Sequence, residues 1–304
     1  MTPAIEWLDG VRPQDIAAID AMLDRVSAAD GVSSLSEHTY LHLLAGGSGE
    51  DRHGVVREDG RIVGYAFVSA GEEPVAEFLV DPAARGRGLG SRMLAEILEA
   101  GGSRVRIWAH GQLPAAESIA THAGMRPVRR LCRYTRSLTD IPQVRMPEGV
   151  SVRRFEPDDA PAWLALNAEA FVDLPDQGSW AAADLSERLA QSWFDPEGFL
   201  LAFDEHGLVG FHWTKVHGGA AHAHERTGEV YVLAVARRAR GTGLGSALTM
   251  QGLHYLRGLG LRTVMLYVDL RNAGAVAMYE RLGFACADCD VQFALPARQA
   301  EQTD

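Results

Sequence analysis

A stretch of sequence recurs at an offset of 155 residues, and that recurrence limits the possible folds more than any other feature of the chain. Val75-Ala76-Glu77-Phe78-Leu79-Val80-Asp81-Pro82-Ala83-Ala84-Arg85-Gly86-Arg87-Gly88-Leu89-Gly90 is answered by Val230-Tyr231-Val232-Leu233-Ala234-Val235-Ala236-Arg237-Arg238-Ala239-Arg240-Gly241-Thr242-Gly243-Leu244-Gly245. Each copy is an apolar run, a short basic turn and then Arg-Gly-x-Gly-Leu-Gly. The flanking segments correspond as well. Before each copy lies a predicted hairpin, with polar turns at Glu58-Asp59-Gly60 and at residues 204–207. After each copy, apolar residues recur at helical spacing: Met93, Leu94, Ile97 and Leu98 in one, Leu248, Leu253 and Leu256 in the other. Both predicted helices stop at glycines, Gly101-Gly102 and Gly258/Gly260, and short strand-like runs follow at 105–109 and 263–268. Two copies at half the chain length indicate a tandem duplication rather than a solenoid. The expected fold class is α/β with a mixed sheet, built twice: residues 1–138, a linker at 139–149 interrupted by Pro142 and Pro147, and residues 150–296. A polar tail at 297–304 is expected to be disordered.

Composition narrows the function classes. The 304 residues match a prior of two domains, each long enough to bury its own core. Lys and Arg number 29 against 40 Asp and Glu, a formal net charge of −11, which disfavours nucleic acid as a partner. No run of 18 apolar residues is present, so no membrane span is expected, and residues 1–10 do not read as a signal peptide. Three cysteines argue against a secreted disulfide scaffold. The expectation is a reduced, cytoplasmic monomer acting on small molecules. Cys286-Ala-Asp-Cys289 is a lone pair without the second pair a structural zinc site needs, and His217, His222 and His224 read as a loop, so no metal is expected.

The glycine loop carries the chemical signal. A strand that ends in such a loop and opens a helix directs free backbone N–H groups, reinforced by the helix dipole, at one point. Glycine allows close approach of the backbone to a ligand, and a pyrophosphate suits the site. In a Rossmann-type domain the loop would follow the first strand, whereas here it follows about three; the Gly-Lys-Ser/Thr of a Walker loop is absent.

The loop at Arg85-Gly86-Arg87-Gly88-Leu89-Gly90 and again at Arg240-Gly241-Thr242-Gly243-Leu244-Gly245-Ser246, together with Asn272-Ala273-Gly274-Ala275-Val276-Ala277-Met278-Tyr279-Glu280-Arg281-Leu282-Gly283-Phe284, resembles the GNAT family of acetyl-CoA-dependent N-acetyltransferases. The resemblance implies two tandem acyl-CoA N-acyltransferase domains that use acetyl-CoA as cosubstrate. It places cofactor contacts on Phe78, Leu79, Val80 and the first loop, and on Leu233, Ala234, Val235, the second loop and residues 272–277. The two halves then differ in chemistry. With Gly283-Phe284 set on Gly124-Met125, an offset of 159, Tyr279 falls on Ala120 and Asn272 on Leu113; at offset 155, Glu229 falls on Pro74. The second half therefore reads as the catalytic one, with Glu229 as base, directly or through a water, and Tyr279 as acid. The first half reads as a degenerate copy.

Within the family, the stretches Trp108-Ala109-His110-Gly111, Trp193-Phe194-Asp195-Pro196 and Gly210-Phe211-His212-Trp213-Thr214-Lys215-Val216-His217 are similar to a tandem-domain branch. That branch acetylates the cysteinyl amine of a cysteine–glucosamine–inositol conjugate. The resemblance puts acceptor contacts on Glu37, Asp176, Lys215, Glu229 and Tyr267. Asp176 stands where that branch is expected to carry Glu, one methylene longer. Two other readings stay open: an acetyltransferase for another small amine such as an aminoglycoside, and a non-catalytic acetyl-CoA-binding regulator.

Overall fold

Asp59 and Gly60 both take positive φ, +48° and +78°, and this two-residue turn folds the chain back into the first hairpin. The computed structural model describes residues 4–47, 49–143, 145–218 and 226–296, with the side chains of Pro175 and Asp176 outside the description. The elements in chain order are β1 (Glu6–Leu8), α1 (Pro13–Asp30), α2 (Glu37–Leu44), β2 (Arg52–Glu58), β3 (Arg61–Val68), β4 (Val75–Val80), α3 (Leu89–Gly101), β5 (Arg106–Ala109), α4 (Pro114–His122) and β6 (Arg126–Ser137). They continue as β7 (Ser151–Arg154), α5 (Ala160–Ala170), α6 (Pro175–Gly178), α7 (Ala182–Leu189), β8 (Phe199–Asp204), β9 (Gly207–His217), β10 (Thr227–Val235), α8 (Leu244–Gly258), β11 (Thr263–Asp269), α9 (Ala273–Arg281) and β12 (Ala285–Ala294). The chain forms two compact units.

Unit 1 contains Met1–Cys132, Asp269–Arg271 and the described residues from Asp288 onward. Its strands run β1-β2-β3-β4-β5-β12, with β4 and β5 parallel and their neighbours antiparallel. Met93, Leu94 and Ile97 of α3 pack on Val56, Ala66 and Val68 on one face. Ile19, Met22 and Val26 of α1 pack on Tyr65, Phe67 and Leu79 on the other. The last strand comes from the far end of the chain: Val291 and Phe293 are buried in this core, and Val291 pairs with Ala109. A cut at residues 138 and 150 puts this strand with the second half; its apolar alternation finds a partner along β5 instead.

Unit 2 contains Arg133–Val268 and Asn272–Ala287, with strand order β6-β11-β10-β9-β8-β7 and β10 parallel to β11. Trp163 and Leu166 of α5 close one face over Phe199, Phe211 and Trp213, while Leu244 and Leu248 of α8 belong to the same core. A mixed sheet between helices is thus present in each unit, as the pattern of the repeat predicts.

Two features depart from expectation or explain a local choice. Cys132 and Cys289, 157 residues apart in sequence, are joined in a disulfide between β6 and β12, so two of the three cysteines are not reduced; Cys286 lies outside that bond and is exposed. A pairing at that separation has no local signature. His212 in β9 is fully buried and pushed down to about 4, because burial disfavours its charge; Nδ1 donates to the carbonyl of Leu248 at 2.7 Å. Its ring lies where a Cβ on Gly252 of α8 would meet it at 2.0 Å. Helix propensity alone favours alanine over glycine by about 1 kcal/mol. Gly252→Ala is nevertheless expected to destabilise unit 2 by about 1–3 kcal/mol, the usual result of overpacking, measured by denaturant titration.

Candidate active site

Both glycine loops have the geometry the sequence implies. Gly86 and Gly88 lie at φ +75° and +78°, Gly241 and Gly243 at +81° and +89°, and an added Cβ at any of the four meets nothing within 4 Å. The backbone is therefore left-handed, as glycine permits, and the space above it is open to a ligand. The first helical bonds are Arg92 N–H to the Gly88 carbonyl and Ala247 N–H to the Gly243 carbonyl. The N–H groups of Leu89, Gly90 and Ser91, and of Leu244, Gly245 and Ser246, lie ahead of them at the positive end of each helix. Such a cradle fits the pyrophosphate of a coenzyme A ligand.

The strands beside each loop splay apart. β4 pairs with β5 only at Val75–Arg106 and Ala76–Ile107, but with β3 through Val80. β10 pairs with β11 only as far as Val230–Leu266, but with β9 through Val235. One edge of Phe78-Leu79-Val80 and one edge of Leu233-Ala234-Val235 are thereby released from the ladder. In unit 1 the opening is a cavity of about 450 Å³, lined by Phe78, Val80, Gly88, Gly90, Trp108 and His110 among others.

Glu229 lies on β10 just before the splay and is 7% exposed. Its register partners are Lys215 on β9 and Met265 on β11. His217 donates from Nε2 to Oε2 of Glu229 at 2.6 Å. The ammonium of Lys215 lies 4.5 Å from the ring of Trp193 and 5.1 Å from that of Tyr231, in cation–π contact. Arg188 of α7 stacks on Trp180 at 3.9 Å and donates to the hydroxyl of Tyr231. Aromatic and cationic side chains therefore surround the strand pair that carries Glu229.

Tyr279 is buried in α9, its ring edge-on to Phe284 at 5.6 Å. Burial pushes its hydroxyl well above the ordinary tyrosine range, and among the described residues that hydroxyl has no hydrogen-bond partner. The alignment of Tyr279 with Ala120 is structural as well as sequential. α4 and α9 both end on a left-handed glycine, Gly124 at +77° and Gly283 at +84°. The next N–H then returns to the equivalent carbonyl, Met125 to Ala120 and Phe284 to Tyr279, each at 3.0 Å. Asn272 caps α9 by accepting from the N–H of Ala275 at 3.1 Å.

In unit 1 the loop and the splayed strands have different side chains around them. Arg85 makes a two-pronged pair with Asp30 at 2.6 and 2.8 Å and donates Nε to the carbonyl of Val80, which holds the loop against the end of β4. Glu77 is buried and accepts from Ser36 N at 2.7 Å, Ser36 Oγ at 2.6 Å and Thr39 Oγ1 at 3.0 Å. His110 stands between Glu77 at 3.3 Å and Asp290 at 3.0 Å. Burial opposes the charge on His110, but its hydrogen bonds to Asp290 and Glu77 outweigh burial and hold it up to about 10. Glu77 is held below the usual carboxylate range: burial acts against its charge, and His110 and Ser36 overcome it. Glu77, His110 and Asp290 are not among the site residues expected from the sequence.

The remaining expected contacts fall as follows. Glu37 is the first residue of α2 in unit 1, half-buried next to the Ser36 cap. Tyr267 of β11 in unit 2 is 42% exposed. The side chain of Asp176, the residues His222 and His224, and the tail at 297–304 lie outside the described residues. His217, read from sequence as part of a loop, ends β9 and touches Glu229. The alternation Trp213, Lys215, His217 opposite Thr227 and Glu229 is the signal that finds it. No helix among the described residues is long and apolar enough to cross a membrane.

Known proteins match this architecture. Residues 161–284 match the model described as the Acetyltransferase (GNAT) family, and residues 49–122 the one described as the Acetyltransferase (GNAT) domain. A mycothiol acetyltransferase of Thermobispora bispora is 49% identical, across 92% of this chain and 96% of that protein. A mycothiol acetyltransferase of Streptomyces coelicolor is 46% identical, across 95% and 94%. Among solved structures, a tandem GNAT protein from the clavulanic acid biosynthesis pathway shares the fold with a TM-score of 0.71 at 21% identity, across 98% of this chain and 100% of that one. A GCN5-related N-acetyltransferase from Sphaerobacter thermophilus aligns with a TM-score of 0.67 at 26% identity, across 94% of each chain. The chain is an acetyl-CoA-dependent N-acetyltransferase of the GNAT family and belongs, within it, to the mycothiol acetyltransferases.

Proposed function

We propose that unit 2 transfers the acetyl group of acetyl-CoA to the cysteinyl amine of a cysteine–glucosamine–inositol conjugate, giving mycothiol and coenzyme A. The observation that carries this reading is the one-sided distribution of chemistry. Both units keep a glycine loop beside splayed strands, but among the described residues only unit 2 combines a buried carboxylate next to its splay, Glu229, with a buried phenol that has no hydrogen-bond partner, Tyr279. The names of the relatives supply the acceptor. Glu37, Asp176, Lys215 and Tyr267 are its proposed contacts besides Glu229, with carboxylates and an ammonium suited to sugar and inositol hydroxyls.

Bound acetyl-CoA supplies the activated thioester. The loop Arg240-Gly241-Thr242-Gly243-Leu244-Gly245-Ser246 holds the pyrophosphate end through backbone N–H groups, and residues 272–277 close over it. The freed edge at Leu233-Ala234-Val235 offers backbone N–H groups to the acetyl oxygen. Glu229 takes the proton of the acceptor, directly or through a water; an α-amino group titrates at about 7.7–8.0, so a weak base suffices near neutral pH. Tyr279, protonated at neutral pH, gives its proton to the departing sulfur as the bond to carbon breaks, so that coenzyme A leaves as the thiol, and the phenolate is reprotonated from solvent. Phe78-Leu79-Val80 and Arg85-Gly86-Arg87-Gly88-Leu89-Gly90 are the proposed cofactor contacts of unit 1, which binds without turnover. No metal enters this scheme, and the working unit is proposed to be a monomer in the cytoplasm.

Tyr279→Phe removes one oxygen and tests both the acid and the idea of a mere binding module. A kcat about 10²-fold lower, with acetyl-CoA affinity intact by calorimetry, is expected. An unchanged kcat removes Tyr279 from the acid role.

A further inference from the structure

A glutamate turns about three side-chain bonds, and a base is effective only when the working oxygen is aimed at its proton. On β9, His217 lies two residues beyond Lys215, the register partner of Glu229, so the period of two puts its ring on the same face, diagonal to the carboxylate. That diagonal is closed by the 2.6 Å contact between His217 Nε2 and Glu229 Oε2. A carboxylate oxygen only accepts, so the ring nitrogen donates. The side chain of Glu229 is 9% exposed and that of His217 38%, so the imidazole stands on the solvent side. Among the described residues Oε1 of Glu229 has no hydrogen-bond partner.

We infer that His217 is a positioning residue for acetyl transfer: its Nε2–H pins Oε2 of Glu229 and presents Oε1 to the acceptor amine. This rests on the reading of Glu229 as the base. The contact is not needed to join the strands, because the β9–β10 ladder runs from the Thr227–His217 pair to the Val235–Gly210 pair. Nor does Lys215 aim the base, since its ammonium is drawn over Trp193 and Tyr231. A single N–H from an imidazole fixes direction without setting a lysine charge directly against the carboxylate.

The test compares His217→Leu, which deletes the donor, with His217→Gln, whose amide N–H reaches the same place. His217→Leu is expected to lower kcat about 10- to 100-fold while the KM for acetyl-CoA stays unchanged. His217→Gln is expected to recover most of that loss. A leucine variant at the wild-type rate overturns the inference, as does a glutamine variant as slow as leucine with an unchanged melting temperature. If the leucine variant does not fold, His217→Asn replaces it, because its amide is too short to reach, and the same outcomes decide. The wild type is assayed first. Failure to acetylate the conjugate counts against the acceptor assignment alone, and the ratios are then read with whichever small primary amine the wild type acetylates. A slow Glu229→Gln beside a fast His217→Leu rejects the positioning role and leaves the base in place.

Discussion

Glu229→Gln is expected to lower kcat/KM for the amine by about 10²–10⁴-fold, the usual span for loss of a general base. The substitution keeps the volume and the acceptor oxygen that His217 engages, and removes only the basicity. Glu229 lies on β10 before the splay, whereas the proposed phosphate cradle is backbone at Gly241, Gly243 and the first turn of α8. Acetyl-CoA affinity should therefore be unchanged. Steady-state kinetics with the amine varied, together with calorimetric titration of acetyl-CoA, separates the two terms. A variant within twofold of wild type removes Glu229 from the base role.

The second large effect is on stability and belongs to unit 1. His110→Gln strips the charge from an array in which Glu77 and Asp290 both lean on the imidazole. Breaking a buried ion pair from one side costs about 3–5 kcal/mol, because the remaining charge stays buried without its partner. The pH dependence has a definite sign. His110 is raised in the folded state from 6.5 to about 10, so its contribution is full below its unfolded value and is lost as pH rises towards 10. Glu77 is shifted down, so its contribution is present above 4.5 and is lost as pH falls through its lower folded value. Wild-type stability should thus fall between pH 6.5 and 10 more steeply than that of His110→Gln, with thermal melts across that interval as the measurement. Parallel curves for the two proteins contradict a charged His110.

How much of this could be read from the sequence follows from range. The repeat, the two glycine loops and the helices behind them are local patterns, and each appears where periodicity and glycine place it. Comparing the copies also singles out Tyr279, because Ala120 occupies its place and the two helices share their ends at Gly124 and Gly283; Glu229 falls on Pro74 by sequence offset alone, since a bulge between Val230 and Val232 shifts the register of β10. What was not legible depends on strand partners chosen over long separations. β12 lies along β5 because Val291 and Phe293 fit the core of unit 1, and no local propensity records that choice. The Cys132–Cys289 bond and the Glu77–His110–Asp290 array span similar distances. His217 is an intermediate case. Its alternation with Lys215 and Trp213 extends β9, but its nearness in sequence to His222 and His224 makes it read as loop.

Unit 2 is proposed to acetylate one amine of one thiol-bearing acceptor. Mass spectrometry of a reaction containing the protein, acetyl-CoA and the cysteine–glucosamine–inositol conjugate tests it most directly, because free-thiol reagents cannot tell product coenzyme A from the acceptor's own sulfur. The predicted result is a gain of one acetyl group on the conjugate, located by fragmentation at the cysteinyl nitrogen, with the thiol still free and the rate lost in Glu229→Gln. An unmodified conjugate in the presence of protein that binds acetyl-CoA, or an acetyl group on sulfur or sugar, would contradict it.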